Sequence, residues 1–96
     1  MNKEDVEKAL MQVEDPDLGI DIISLGLIYE INIKKDDVTI LLTLTTPTCP
    51  YGDFIINEIE DALRTITNKK INIELTFNPP WSPDRLDPDI RAALNL

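Results

Sequence analysis

The hydrophobic period of this chain switches between helical and extended spacing, and that switching limits it to a mixed helix-and-sheet fold. From Gly26 the period is two. Leu27, Tyr29, Ile31 and Ile33 fall on one face, and Glu30, Asn32 and Lys34 on the other. After a polar turn around Lys35-Asp36-Asp37 the alternation resumes, with Val38, Ile40, Leu42 and Leu44 against Thr39, Thr43 and Thr45. Two alternating runs joined by a polar turn predict a β-hairpin with one buried face. The turn holds no Asn-Gly or Asp-Gly pair, so its residues do not set its type.

On either side of the hairpin the spacing is three or four. Residues 3–13 place Val6, Ala9, Leu10 and Val13 on one helical face, opposite Glu4, Asp5, Glu7 and Lys8. Asp15-Pro16-Asp17-Leu18-Gly19 breaks that helix and turns the chain, and residues 20–25 form an irregular lead-in. Thr46-Pro47-Thr48-Cys49-Pro50-Tyr51-Gly52 interrupts the second strand. A second helix follows to about residue 67, with Ile55, Ile59, Ala62, Leu63 and Ile66 on its apolar face. Ile71, Ile73, Leu75 and Phe77 then alternate with Asn72, Glu74 and Thr76 as a third strand. Asn78-Pro79-Pro80-Trp81-Ser82-Pro83 ends it, because proline cannot continue a ladder. The last helix takes Asp87 as N-cap, Pro88 at its first position and Asp89 near the positive dipole end.

The element order is therefore α-β-β-α-β-α, within a single domain spanning residues 1–96. Strands with one apolar face each, and helices to cover it, predict an α+β two-layer sandwich with a three-stranded mixed sheet. Strand two, the long helix and strand three form a β-α-β unit, for which a right-handed parallel crossover is the default. Parallel strands finish at the same end of a sheet. The Cys49 loop and the Pro79-Pro80-Trp81 loop should thus emerge together, and the antiparallel first strand should bring segment 15–21 to the same rim. The hairpin turn and Asn68-Lys69-Lys70 then occupy the opposite end. Unusual loops gathered at one end of a scaffold are how sites are commonly built.

Charge narrows the partners. Nine basic residues stand against eighteen acidic ones, a net −9, and the bases are spread over the whole length. A nucleic-acid backbone or an anionic membrane surface repels such a chain. No apolar run approaches the ~18 residues of a membrane span. A single cysteine forms no internal disulfide, and the first residues are charged where a signal peptide is apolar. A soluble cytoplasmic protein is the expectation. With no histidine there is no Ser-His or Cys-His nucleophile pair and no imidazole metal ligand, so the chain is not expected to be an enzyme.

Cys49 is the leading candidate for chemistry. If Pro50 occupies the first helical position, Cys49 sits at or near the N-cap, where free backbone N–H groups and the dipole favour the thiolate. A helix starting at Asp53 instead leaves Cys49 in the loop. A lone cysteine can also serve as a small apolar filler; Pro47 and Pro50, which stiffen the loop on both sides, favour function. One thiolate cannot hold an iron–sulfur cluster that usually takes four, so any cluster must be labile and shared between chains or with outside ligands. Thr46 or Thr48 is placed to hydrogen-bond the sulfur. Trp81, in its rigid proline-flanked stretch, reads first as a lid over the core and second as a partner-facing anchor. Asp17 or Asp21 beside Cys49 would be a mixed ligand or proton acceptor, although Asp15-Pro16 is ordinary turn chemistry. Arg85 beside Asp84 reads as a surface pair of little energetic consequence.

Four stretches in order carry a resemblance. They are Asp15-Pro16-Asp17-Leu18-Gly19-Ile20, Ser24-Leu25-Gly26-Leu27-Ile28-Tyr29, Thr45-Thr46-Pro47-Thr48-Cys49-Pro50 and Asn78-Pro79-Pro80-Trp81-Ser82-Pro83-Asp84-Arg85. Together they resemble the SufT/PaaD-like family of iron–sulfur cluster assembly domains, also called metal–sulfur cluster biosynthetic proteins. The resemblance spans nearly the whole chain. It implies the iron–sulfur cluster assembly domain fold, a cytosolic setting and a role in maturing iron–sulfur proteins. The family's prominent cysteine falls on Cys49, its Thr-Pro pair on Thr46 and Pro47, and its Pro-Pro-Trp on Pro79, Pro80 and Trp81. The acidic position of its Asp-Pro-Glu turn falls on Asp17, where aspartate shortens the carboxylate's reach. The chain carries neither the fused ATPase nor the extra cysteines of some relatives, which favours an accessory role.

Two functions follow. In the first, the chain is an accessory factor for iron–sulfur protein maturation, with Cys49 as ligand of iron or of a labile cluster bridged by two chains of a homodimer. In the second it is a metal-free adaptor that docks apoprotein targets or assembly proteins through the Trp81 rim.

Overall fold

Asn2 opens the first helix. The structure, a computed structural model, describes residues 1–45, 51–86 and 88–94. In it the Asn2 side chain accepts the Asp5 N–H at 2.9 Å while the Asp5 carboxylate accepts the Asn2 N–H at 3.0 Å. This reciprocal capping box satisfies two donors that a helix start leaves free. The helix α1 spans Lys3–Leu10 and buries Val6, Ala9 and Leu10.

Helix α1 ends three residues earlier than the apolar spacing predicts, because the chain enters a pair of short strands. β1 (Glu14–Asp15) pairs antiparallel with β2 (Ile20–Asp21), in the stretch expected to be a turn and an irregular lead-in. Gly19 completes the turn with φ +68° and donates its N–H to the Asp15 carbonyl at 2.7 Å. A left-handed conformation of this kind favours glycine. Val13 stays buried although it has left the helix, since its carbonyl accepts the Ile22 N–H at 2.9 Å.

The main sheet has the order β3-β4-β5, formed by Ile28–Ile33, Asp37–Leu42 and Lys70–Leu75. β3 and β4 are antiparallel, and β4 and β5 are parallel, so the mixed three-stranded sheet is as expected. Val38, Ile40 and Leu42 are fully buried on the central strand. Each such side chain contributes about 1.5–3 kcal/mol on leaving water. α1 and α2 (Gly52–Arg64) pack together over this face, the latter through Ile55, Ile59 and Leu63, and complete the two layers.

Three details depart from the pattern. Ile28 pairs with Leu42 and Glu30 with Leu41, so Tyr29 is an extra residue in a β-bulge. Ile28 therefore takes the inward place that strict alternation would have assigned to Tyr29. Ile66 is exposed because α2 has already ended at Arg64. Leu75 (43% exposed) and Phe77 (37%) also face solvent rather than core. Leu75 is the last residue of an edge strand, so it has a strand neighbour on one side only.

The ends of the sheet are separated as the crossover requires. At one end the Lys69 ammonium donates to the carbonyls of Lys34 and Lys35, and the Lys70 N–H donates to the Asp36 carbonyl at 3.0 Å. The hairpin turn and the turn after α2 are thereby tied together. At the other end the Thr43 N–H reaches the Leu27 carbonyl and the Thr76 N–H reaches the Leu42 carbonyl, both at 2.9 Å. The chain then crosses this rim as a strap through a short 3-10 turn, Pro83–Arg85, into α3 (Pro88–Leu94). Pro88 takes the first helical position as expected, while its proposed cap, Asp87, lies outside the described residues.

Candidate functional site

Cys49 and its neighbours Thr46, Pro47 and Thr48 lie outside the described residues. β4 leaves the sheet at Leu42, and Thr43 and Leu44 remain buried. The start of α2 lies close against that exit: a Cβ on Gly52 would meet the Leu44 side chain at 3.1 Å. The cap of α2 is Tyr51, and Gly52 is its first helical residue. Pro50 therefore does not open the helix and Cys49 is not its N-cap. The start is one residue from the alternative at Asp53, and the thiolate argument from the helix dipole weakens accordingly.

Segment 14–21 divides its carboxylates by task. Asp17 is exposed, and its backbone N–H donates to Asp15 Oδ1 at 2.7 Å. Asp21 is half-buried, and its Oδ2 accepts the Ser24 N–H at 2.9 Å, which fixes the turn leading into β3. Asp15 is fully buried, and its Oδ2 has no hydrogen-bond partner among the described residues. The sequence directs attention to Asp17 and Asp21, yet Asp15 is the carboxylate whose position is unusual. Nothing in an Asp-Pro dipeptide foretells burial.

The second cluster is built by the strap. Trp81 packs against the core, and its indole Nε1 donates to the Leu25 carbonyl at 2.6 Å. Pro79 and Pro80 are exposed, and the Pro79 carbonyl accepts the Tyr29 hydroxyl at 2.6 Å. Arg85 does not pair with its neighbour Asp84. Its guanidinium lies 4.5 Å from the centroid of the Tyr29 ring, while Asp84 pairs with Arg91 at 3.0 Å. The backbone at Gly26, with φ +72°, passes so close beneath the strap that a Cβ there would lie 3.0 Å from the Arg85 Cβ. Leu86 closes the core behind it.

The rim thus carries two groupings. One is the strap on Leu25, Gly26 and Tyr29. The other is the acidic turn facing the first turns of α2, where Phe54 and Glu58 share a cleft with Asp15, Pro16 and Gly19. Phe54 has a sequence signal that the apolar spacing obscures: it is an aromatic residue off the Ile55-Ile59-Leu63 stripe, and it is 48% exposed. Among the described residues no group of three or more His, Cys, Asp and Glu side chains is arranged to hold a metal ion. No described helix is long and apolar enough to cross a membrane.

Comparison with known proteins agrees with this architecture. A family model described as iron–sulfur cluster assembly protein matches residues 3–75. An Fe-S protein maturation auxiliary factor of Bacillus subtilis, YitW, is 38% identical over 98% of this chain and 94% of its own. The Fe-S protein maturation auxiliary factor SufT of Staphylococcus aureus is 36% identical over 88% of this chain and 98% of its own. A conserved hypothetical protein of Thermotoga maritima superposes with a TM-score of 0.89 at 42% identity, covering 100% of this chain and 96% of that one. The family match begins at the first residue of α1 and ends at the last residue of β5, so it takes in the whole sandwich. The chain belongs to the iron–sulfur cluster assembly protein family, in its SufT/PaaD-like branch.

Proposed function

We propose that this chain is an accessory factor in the maturation of iron–sulfur proteins, acting in the cytoplasm and without turnover chemistry of its own. In this reading Cys49 is the ligand or transfer thiol for iron or for a cluster that is cargo rather than a resident cofactor. The observation that carries it is the count and place of sulfur. The chain has one cysteine, in the connection between β4 and α2, within a family whose relatives bear the name of maturation factors. A cluster usually takes four thiolates and this chain supplies one, so a cluster held through Cys49 needs a second chain or added thiols. Two thiolates from a homodimer plus small-molecule thiols satisfy a [2Fe–2S] unit. Such incomplete ligation suits handing on better than storing.

The test is reconstitution with iron and sulfide without oxygen, read by visible absorption and by iron and sulfide analysis. Wild-type protein should gain charge-transfer bands that Cys49→Ser lacks. Identical empty spectra for both, with every added thiol, would remove the ligand role.

A metal-free adaptor that docks apoprotein targets or assembly proteins through the Trp81 rim is the second reading. It is favoured by the apolar side chains left exposed at that end, Tyr51, Leu75 and Phe77. An adaptor should lose captured iron–sulfur apoproteins in a Leu75→Ser/Phe77→Ser variant and keep them in Cys49→Ser. The opposite pattern supports the first reading.

A further inference from the structure

β5 is an edge strand of the main sheet. The Lys70 N–H donates to the Asp36 carbonyl and the Thr76 N–H to the Leu42 carbonyl, so the even-numbered residues of β5 turn their backbone groups toward β4. Ile71, Ile73 and Leu75 turn theirs outward. Among the described residues these outward groups have no hydrogen-bond partner. The longest stretch outside the described residues, 46–50, joins β4 to α2, and the others hold one and two residues, too few to line this edge.

The two edges of the sheet differ. β3 carries a bulge at Tyr29, and the strap lies on that residue through Arg85 and the Pro79 carbonyl. Bulges and covering segments protect an edge from further pairing. β5 has neither a bulge nor a proline and runs in unbroken register with β4. Its apolar side chains are incompletely covered: Ile71 and Ile73 are half-buried and Leu75 is 43% exposed. An unpaired, regular, apolar edge is a template for another strand.

We infer that β5 pairs antiparallel with β5 of a second copy of this chain, about a two-fold axis at Ile73. A two-fold contact between identical edges is self-complementary by construction, and the strand's own residues choose its register. An axis at Ile73 sets that residue beside its copy and Ile71 beside the partner's Leu75, which covers the exposed leucine. On the polar face Asn72 meets the partner's Glu74, and Lys70 lies diagonal to the partner's Glu74, within reach of such long side chains. An axis one residue further on would place Glu74 against its own copy, like charge opposite like. One residue back, Leu75 would fall beside the partner's Lys69, whose ammonium is engaged with the Lys34 and Lys35 carbonyls. A net −9 on each chain opposes the meeting of two copies, so the contact is weak and concentration-dependent. The strand itself is balanced, with one cation at Lys70 and one anion at Glu74.

This pairing is independent of the Cys49 reading. Antiparallel strands send the two rims to opposite ends of the joined sheet, so a cluster shared by two chains would use a separate contact. The strand pairing can fail while iron reconstitution succeeds, and the reverse.

Sedimentation velocity of the whole protein over a range of concentrations, with amide hydrogen exchange at the lowest and the highest, tests the pairing. A reversible monomer–dimer equilibrium is expected. As dimer forms, exchange should slow at Ile71, Ile73 and Leu75 and stay unchanged at Asn72 and Glu74, whose N–H groups already face β4. Lys70 and Glu74 are exposed, so charge reversal there leaves the fold intact. Lys70→Glu and Glu74→Lys should each weaken the dimer about three- to tenfold, and the double variant should regain wild-type strength. A monomer at every concentration overturns the pairing and leaves the edge to a strand of another protein. A dimer whose outward amides exchange as fast as in the monomer overturns it too. So does a double variant no stronger than the single ones, or a dimer that neither reversal weakens.

Discussion

The indole N–H of Trp81 donates a 2.6 Å hydrogen bond to the carbonyl of Leu25, 56 residues earlier in the chain. That bond anchors the strap to the segment that leads into β3. Trp81→Phe keeps most of the apolar contact but leaves the Leu25 carbonyl without this donor, and should cost about 1–2 kcal/mol. Trp81→Ala also empties the space under the strap and should cost about 2–4 kcal/mol. Urea denaturation of the three proteins measures both. Equal, negligible losses would mean that Trp81 is free to serve a partner, and only then does its truncation report on docking alone.

Two glycines with positive φ make a controlled pair. At Gly19 a Cβ would meet nothing within 4 Å, so Gly19→Ala carries only the left-handed backbone penalty, about 1–2 kcal/mol. At Gly26 the same penalty applies, and the new Cβ also meets the Arg85 Cβ at 3.0 Å and the Arg85 carbonyl oxygen at 3.1 Å. Backbone cannot swing aside as a side-chain tip can. Gly26→Ala should therefore cost at least about 1 kcal/mol more than Gly19→Ala, and thermal melts should show it as the lower midpoint.

Leu42 and Leu75 are register partners on neighbouring strands with opposite fates. Leu42 is fully buried and Leu75 is 43% exposed. Leu42→Ala should lose about 2–5 kcal/mol and Leu75→Ala less than about 1 kcal/mol. A large loss at Leu75 would show that the rim is closed in solution, by a second chain or by a partner.

Lys69→Met keeps the aliphatic stem and removes the ammonium that bridges to the Lys34 and Lys35 carbonyls. With these bonds near the surface, stability should fall by only about 1 kcal/mol. The local effect should be clearer. Hydrogen exchange at the Lys34 and Lys70 amides, which close the hairpin end, should quicken more than exchange at Ile40 in the core. Uniform protection would show that the lysine bridge adds nothing to the turn.

Much of the architecture is legible in the chain because a period of two or of 3.6 is a local property of side-chain order. Val38, Ile40 and Leu42 announce a central strand, and Ile55, Ile59 and Leu63 announce the helix that covers it. The β-α-β crossover then dictates which loops share an end, as the lysine bridge at the far end bears out. Local order fails where one residue is inserted or where an edge is reached. The bulge at Tyr29 shifts the alternation without changing the composition. Leu75 and Phe77 continue an apolar pattern past the point where the core can use it.

The amino-acid sequence by itself determined the helix-and-sheet succession, the acidic charge, the absence of histidine and the solitary cysteine. Only the tertiary structure decided which acid is buried and which cation is already engaged. Asp15, Asp17 and Asp21 are the same residue type within seven positions, yet one is buried with an oxygen that has no partner among the described residues, one is exposed, and one holds a turn. Arg85 turns from its neighbouring aspartate to a tyrosine far away in the chain. Burial and pairing depend on what other segments bring close, and that proximity is set by long-range packing rather than by neighbours along the chain.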